Sequence, residues 1–353
     1  MTTIPASIDE VTPAWLSEVM RADVTSVETE QIGVGIGVSS ALYRVRLTGP
    51  ESQTRPETVV VKLPALDEAA VFTSTILRMY IREVGFFDEL ASASPIRVPE
   101  RYHAEVDEET SRFVVVMEDM GRMRIVDQVQ GMAVEDAEHA VDELAAWHAQ
   151  WWGRGDELAE QGITVSLGDP IYPAILPMVW AEGWDKVSAE IDLPEAIERV
   201  GGQRFSDAMA GILRDLSQGP NTMIHGDFRA DNMLFADDGS IVLLDFQLIG
   251  SGSAAYDLAY FVTQSLDASV AAEHERALFD RWIAGLRGAG VAGSDVAHLW
   301  DDYRKAALFC LVYPVVASRG MDLDDPRQRG LVECMNTRFA RAVDQLELDA
   351  LLP

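Results

Sequence analysis

The chain has 353 residues, 48% of them hydrophobic and 24% charged, enough for one large domain or two packed lobes. Its formal net charge of −30 argues against nucleic acid and anionic membrane as partners, because both carry the same sign. No apolar run reaches the roughly 18 residues that cross a bilayer. The opening MTTIPASIDEVTPAW has no basic region followed by an apolar stretch, so a cytoplasmic protein is expected. The acidity would suit a cationic small molecule, although solubility is the simpler reading. Cys310 and Cys334 are too few for a disulfide framework and lack zinc spacing. Lysine is scarce: only Lys62, Lys186 and Lys305 occur among 28 basic residues, so a position that needs a compact ammonium stands out.

In chain order, Thr12-Pro13-Ala14-Trp15-Leu16 predicts a capped helix start with Pro13 at the first helical position. From Val24 to about Leu47 the pattern is that of two strands, joined by a turn carrying Gly33, Gly35 and Gly37. Thr58–Leu63 predicts a third strand that stops at Pro64. Ile76, Met79, Tyr80, Val84, Phe87 and Leu90 recur at spacings of three and four, which predicts a helix from about Thr75 to Ala91. Two more strands are expected around Tyr102–Val106 and Phe113–Met117. The chain then turns mainly helical from Val134, with a lobe boundary expected near Glu118–Gly121: residues 1–118 as a first lobe and 119–353 as a second. Asn232–Phe235 and Ile241–Leu244 flank Asp237-Asp238-Gly239 and predict a hairpin. Later helices are expected over Tyr256–Gln264, Ala271–Leu286, Val296–Ala317 and Pro326–Leu346.

The chemistry concentrates in IHGDFRADNMLF and the following VLLDFQ. Phosphoryl transfer asks little covalent chemistry of a protein. It needs a carboxylate beside the attacking hydroxyl and hard oxygen ligands for magnesium. Asp227 suits the first role, accepting the hydroxyl proton. Asn232 and Asp245 suit the second, as metal ligands against nucleotide phosphates, because the hairpin returns the chain between them. An Asp-rich loop can merely turn the chain, but the whole string with its hairpin favours function.

This string resembles the kinase catalytic loop and metal-binding motif. The glycine of His225-Gly226-Asp227 is similar to the aminoglycoside phosphotransferase and choline kinase superfamily. Asp245-Phe246-Gln247 and Ala255-Tyr256-Asp257-Leu258-Ala259-Tyr260-Phe261 resemble its ecdysteroid-kinase-like branch and bacterial relatives. The resemblance covers most of the chain from about Ile32 and is weaker in the N-terminal third.

It implies an α+β, bilobal, protein-kinase-like fold. The first lobe would hold an antiparallel sheet and one long helix, binding nucleotide. The second would be larger, mainly helical, and carry the catalytic hairpin. It also implies ATP and Mg2+, with Lys62 on the phosphates and Glu83 pairing with that lysine. Gly35, Gly37, Ser39 and Ser40 would form a phosphate-binding loop, since backbone freed by glycine approaches phosphate closely. Ser40 stands where the protein-kinase pattern has its last glycine. Glu118 and Met120 would hold the base through backbone groups. Asp257 would brace the catalytic loop, and His225 would be structural. His148, set among Trp147, Trp151 and Trp152, is expected to be packed core, as are Trp180 and Trp184.

A protein kinase is one rival, but Asp245 and Asp257 are only twelve positions apart and no Ala-Pro-Glu follows, which leaves little room for a peptide-docking segment. A catalytically inactive nucleotide-binding scaffold is another, though the base, the metal ligands and the lysine are all present. The expected partner is a small-molecule hydroxyl acceptor. An aminoglycoside would fit the acidity, and a sterol-like or other apolar alcohol would fit the aromatic helices and the Asp-Phe-Gln string. Choline and macrolides stay open, and the apolar alcohol is favoured. ATP versus GTP and the oligomeric state are not legible.

Overall fold

The computed structural model describes residues 3–33, 39–50, 55–236 and 238–353. They form two units, Met1–Met123 with Leu243–Leu248, and Arg124–Val242 with Ile249–Pro353. The first unit is therefore built from two stretches of chain.

In the first unit, helix α1 (Pro13–Met20) starts as its sequence predicts. Pro13 is at the first helical position, and the Thr12 hydroxyl accepts a hydrogen bond from the Trp15 amide. Strands β1 (Ser26–Ile32), β2 (Ser40–Thr48) and β3 (Thr58–Pro64) follow. Then come helices α2 (Glu68–Ile76) and α3 (Met79–Gly85), and strands β4 (Arg101–Asp107) and β5 (Arg112–Glu118). The sheet order is β1-β2-β3-β5-β4, with every neighbour antiparallel. Strand alternation sends Val59, Val61 and Leu63 into a core with Trp15, Leu16, Val45 and Val114. Lys62 points to the opposite face. It lies on the central strand, paired across to Leu42 and Val115, which is why a lysine is only 3% exposed.

The period that predicts one helix over Thr75–Ala91 is realised in pieces. Arg78 adopts a left-handed φ of 55°, which breaks α2 from α3, and α3 widens into a π-helical turn over Phe86–Leu90. The restart buries Tyr80, Arg82, Glu83 and Val84 together.

The second unit is mainly helical. It contains β6 (Arg124–Ile125), α4 (Val134–Gln150), α5 (Gly155–Glu160), β7 (Val165–Ser166), α6 (Ile171–Glu190), α7 (Glu195–Val200) and α8 (Gly202–Leu216). After these come β8 (Thr222–Ile224), β9 (Met233–Phe235), β10 (Ile241–Leu243), β11 (Gly250–Gly252), α9 (Ala255–Ser265), α10 (Ala268–Gly288), α11 (Leu299–Phe309), α12 (Val312–Ala317) and α13 (Pro326–Gln345). β9 and β10 are neighbours in a sheet ordered β10-β9-β6, and the turn between them is closed by the Ala236 amide on the Ser240 carbonyl. The helix expected over Val296–Ala317 splits at Cys310–Leu311. Pro314 has no N–H for the Cys310 carbonyl, and Tyr313 bonds that carbonyl instead. Trp147, Trp151, Trp180 and Trp282 are fully buried, so these tryptophans are core. Among the described residues no helix is long and apolar enough to cross a membrane.

Candidate active site

Two groups of side chains carry the predicted chemistry, one in each unit. In the first unit the Lys62 Nζ lies 2.8 Å from the Glu83 carboxylate and 2.9 Å from Asp245 Oδ1. The β3 face presents the lysine, α3 presents the glutamate, and the 243–248 stretch delivers the aspartate. Burial disfavours the Lys62 ammonium, but Asp245 and Glu83 more than reverse that and hold its pKa above the usual lysine value. One ammonium cannot neutralise both the buried Glu83 and the partly exposed Asp245. Burial accordingly pushes Glu83 up to about 7, against the pull of Lys62 and with the push of Asp245. Asp245 has a left-handed φ of 64°, a strained conformation for a residue with a Cβ, of the kind that marks functional positions. Phe246, next in sequence, stacks on Phe86 with ring centroids 3.7 Å apart and is fully buried, which pins the aspartate's neighbour.

Ser39 and Ser40 are placed at the start of β2. The Ser39 hydroxyl meets the Gln247 side chain, accepting from Nε2 at 2.7 Å and donating to Oε1 at 2.9 Å, and Ser40 Oγ lies 3.5 Å from the same Oε1. Gly35 and Gly37 lie outside the described residues. Glu118 and Asp119 turn their side chains to Arg97 and Arg44 respectively, and the Glu118 amide donates to the Glu100 carbonyl. Met120 is buried. The Glu118 amide is therefore already used within the protein.

In the second unit the Asp227 carboxylate accepts three hydrogen bonds from side chains. Arg229 Nε at 3.0 Å and the Tyr260 hydroxyl at 2.8 Å donate to Oδ1, and Asn232 Nδ2 at 2.8 Å donates to Oδ2. Asn232 Nδ2 also donates to the Asp227 carbonyl at 2.9 Å. This fixes the amide so that its oxygen is the atom left for a cation. Asp245, in the first unit, likewise offers carboxylate oxygen, and each of the two is by itself the kind of hard-oxygen donor that magnesium takes. Burial, and then the Asp227 charge, push the Tyr260 phenol well above its ordinary value, so it remains a donor.

Behind this loop, the fully buried Asp257 carboxylate accepts from the backbone amides of His225 at 2.7 Å and Gly226 at 2.8 Å. His148 Nε2 lies 3.0 Å from the same carboxylate, while Trp282 Nε1 approaches His148 Nδ1 at 3.1 Å. An indole N–H only donates, so Nδ1 accepts and Nε2–H faces Asp257. His148 is core, as its sequence context predicts, and also part of the brace. Gly226 has φ 80°, a conformation that glycine adopts without strain.

No motif or spacing in the sequence assigns a role to Tyr260, Arg229 or Gln247. Tyr260 follows Asp257 by three positions, hence lies on the same face of α9, and Arg229 and Gln247 lie inside the two quoted strings. Those positions were the available signals.

A family model described as the phosphotransferase enzyme family matches residues 31–291, most of the chain, and the chain belongs to that family. It is a phosphotransferase. Solved structures share the fold. A choline kinase from Cryptosporidium parvum Iowa II is 12% identical, with a TM-score of 0.58 covering 96% of this chain and 93% of that one. The GDP and kanamycin complex of APH(2")-IIia is 15% identical, with a TM-score of 0.55 and coverage of 98% and 99%. A microcompartment-associated aminopropanol kinase is 16% identical, with a TM-score of 0.54 and coverage of 95% and 96%. No curated protein matches the sequence significantly. The α+β fold expected from the sequence is the fold observed, with an antiparallel sheet in the N-terminal part and a helical C-terminal part.

Proposed function

We propose that the chain transfers the γ-phosphoryl group of ATP to a hydroxyl of a small molecule. The observation that carries this reading is Asp227, a carboxylate held by three donors in the loop where a hydroxyl acceptor needs a base. A carboxylate has about four lone-pair sites. Arg229 and Tyr260 use both on Oδ1, and Asn232 uses one on Oδ2, so the acceptor hydroxyl donates to Oδ2. A loose transition state, in which the hydroxyl proton leaves late, needs that carboxylate chiefly for position. Asn232 and Asp245 would hold Mg2+, which supplies positive charge to the phosphates. Lys62, oriented by Glu83, contributes a second positive charge. Ser39, Ser40, Gly35 and Gly37 would cradle phosphate, and Glu118 and Met120 would hold the base through backbone groups.

The acceptor is proposed to be an apolar alcohol. Around Asp227, its own unit supplies the phenol of Tyr260, stacked on Tyr313 at 4.3 Å, and the guanidinium of Arg229, whose Nη1 also bonds Asp231. Arg229 is already engaged by Asp227 and Asp231, so what this rim offers an acceptor is mainly aromatic surface, which suits an uncharged alcohol. Choline kinase and aminopropanol kinase, among the structures of like fold, are named for small alcohols, which supports the reaction class.

The test is magnesium-dependent ADP release across aminoglycosides, macrolides, choline-like alcohols and sterols, with Asp227→Asn as control. Release with an apolar alcohol, lost in the variant, is the expected result. Release with an aminoglycoside alone would keep the reaction and overturn the acceptor. Release unaffected by Asp227→Asn would overturn the assigned base.

A further inference from the structure

The first unit contains a connection that phosphoryl transfer by the residues named above does not require. Gln247, 6% exposed, uses one amide to contact two parts of the proposed nucleotide machinery. Its Nε2 donates to Ser39 Oγ at 2.7 Å and approaches Asp245 Oδ2 at 3.3 Å, while its Oε1 accepts from Ser39 Oγ at 2.9 Å. Ser39 is held a second time through its backbone. Its carbonyl accepts from the Tyr80 hydroxyl at 3.0 Å, and Tyr80 sits on α3 three residues before Glu83. Tyr80 is 2% exposed and stacked on Phe113 with centroids 4.6 Å apart, so it is a fixed post. One serine is thus tied to the helix that carries the lysine's partner and, through Gln247, to the aspartate proposed to hold the metal.

We infer that Gln247 is a positioning residue that couples the Ser39 end of the phosphate-binding segment to Asp245, so that nucleotide affinity and metal binding depend on each other through this amide. The inference rests on the assignment of Ser39 and Asp245 to nucleotide and metal. The chemistry requires an amide at this position. Gln247 must donate to a carboxylate on one side while both donating to and accepting from a hydroxyl on the other. A carboxylate at 247 would repel Asp245, and an apolar side chain would remove both hydrogen bonds to Ser39 Oγ and the contact with Asp245 Oδ2. Asp245 is also strained at φ 64°, so its carboxylate orientation depends on such side-chain contacts.

The experiment is calorimetric titration of ADP into the full chain, with magnesium and with EDTA. It compares wild type, Gln247→Ala, Ser39→Ala, the double variant and Ser39→Thr, with circular dichroism to confirm folding. Ser39 is part-exposed, so its variants report even where Gln247→Ala does not fold. The expected result is a loss of about fivefold in magnesium for each alanine variant and about the same loss in the double variant; in EDTA Gln247→Ala changes little and Ser39→Ala loses less than it does in magnesium. Ser39→Thr, which keeps the hydroxyl, should recover most of the magnesium-dependent loss seen in Ser39→Ala. Losses that multiply in the double variant, or that are equal with and without magnesium, would overturn the coupling while leaving nucleotide binding intact. Absence of ADP binding by the wild type in magnesium would overturn the nucleotide assignment and the coupling with it.

Discussion

The Asp257 carboxylate holds Gly226 by its backbone amide at 2.8 Å, with no solvent exposure at the aspartate. The geometry of the loop that carries Asp227 therefore depends on a side chain on α9. Asp257 receives three donors: the His225 amide, the Gly226 amide and His148. Asp257→Asn substitutes an N–H for one accepting oxygen and strands at least one buried donor. The expected cost is about 2–4 kcal/mol in urea unfolding monitored by tryptophan fluorescence. A cost below about 0.5 kcal/mol would show that the brace contributes little.

Gly226→Ala tests the backbone that this brace supports. At φ 80° an alanine is strained by about 1–2 kcal/mol, and the chain relieves the strain by moving the loop that carries Asp227. Thermal unfolding should shift downward, and transfer activity should fall by more than the stability loss explains. Wild-type behaviour in both measurements would show that the left-handed conformation is dispensable.

Tyr260→Phe removes one of the two donors on Asp227 Oδ1 without emptying the space the ring fills. One hydrogen bond to a charged group is worth about 1.5 kcal/mol, so kcat should fall about tenfold while the KM for ATP stays put. Steady-state kinetics separates the two parameters. A change confined to KM would assign Tyr260 to binding and not to the orientation of Asp227.

Lys62→Ala leaves the buried Glu83 without its cation and the partly exposed Asp245 without its ion pair, and the first unit should lose about 3 kcal/mol. Glu83 itself gives a pH signature. Its pKa is near 4.5 in the unfolded chain and about 7 in the folded one. Between those values the folded chain keeps a proton that the unfolded chain has released, so Glu83 makes stability fall as pH rises. Urea unfolding in EDTA, without nucleotide, should show wild type losing stability relative to Glu83→Gln from about pH 5 to about pH 7.5. The opposite trend would mean that Lys62 outweighs burial.

Much of this arrangement is legible in the sequence because it is local. Lys62 is marked by lysine scarcity at the end of a Val-rich strand, and the catalytic loop keeps its members within a few residues. The hairpin is written in its turn residues. The break at Arg78 is not legible. Ile76, Met79, Tyr80 and Val84 keep a helical period straight through it, and nothing in an arginine announces a positive φ. The break at Cys310–Leu311 was legible in retrospect through Pro314. The Tyr260–Asp227 and Gln247–Ser39 bonds join residues 33 and 208 positions apart, and no period or spacing records such a pairing. His148 shows the same limit: its burial follows from its aromatic neighbours, but its bond to Asp257 does not.

The measurement that tests the central claim most directly is transfer of the labelled γ-phosphate of ATP to a small alcohol, followed in the acceptor by phosphorus NMR, for wild type and Asp227→Asn side by side. The account predicts a magnesium-dependent phosphate monoester on the acceptor with wild type and none above background with the variant. Saturable magnesium–ATP binding without any phosphorylated acceptor across the alcohol panel, identical in both proteins, would contradict it.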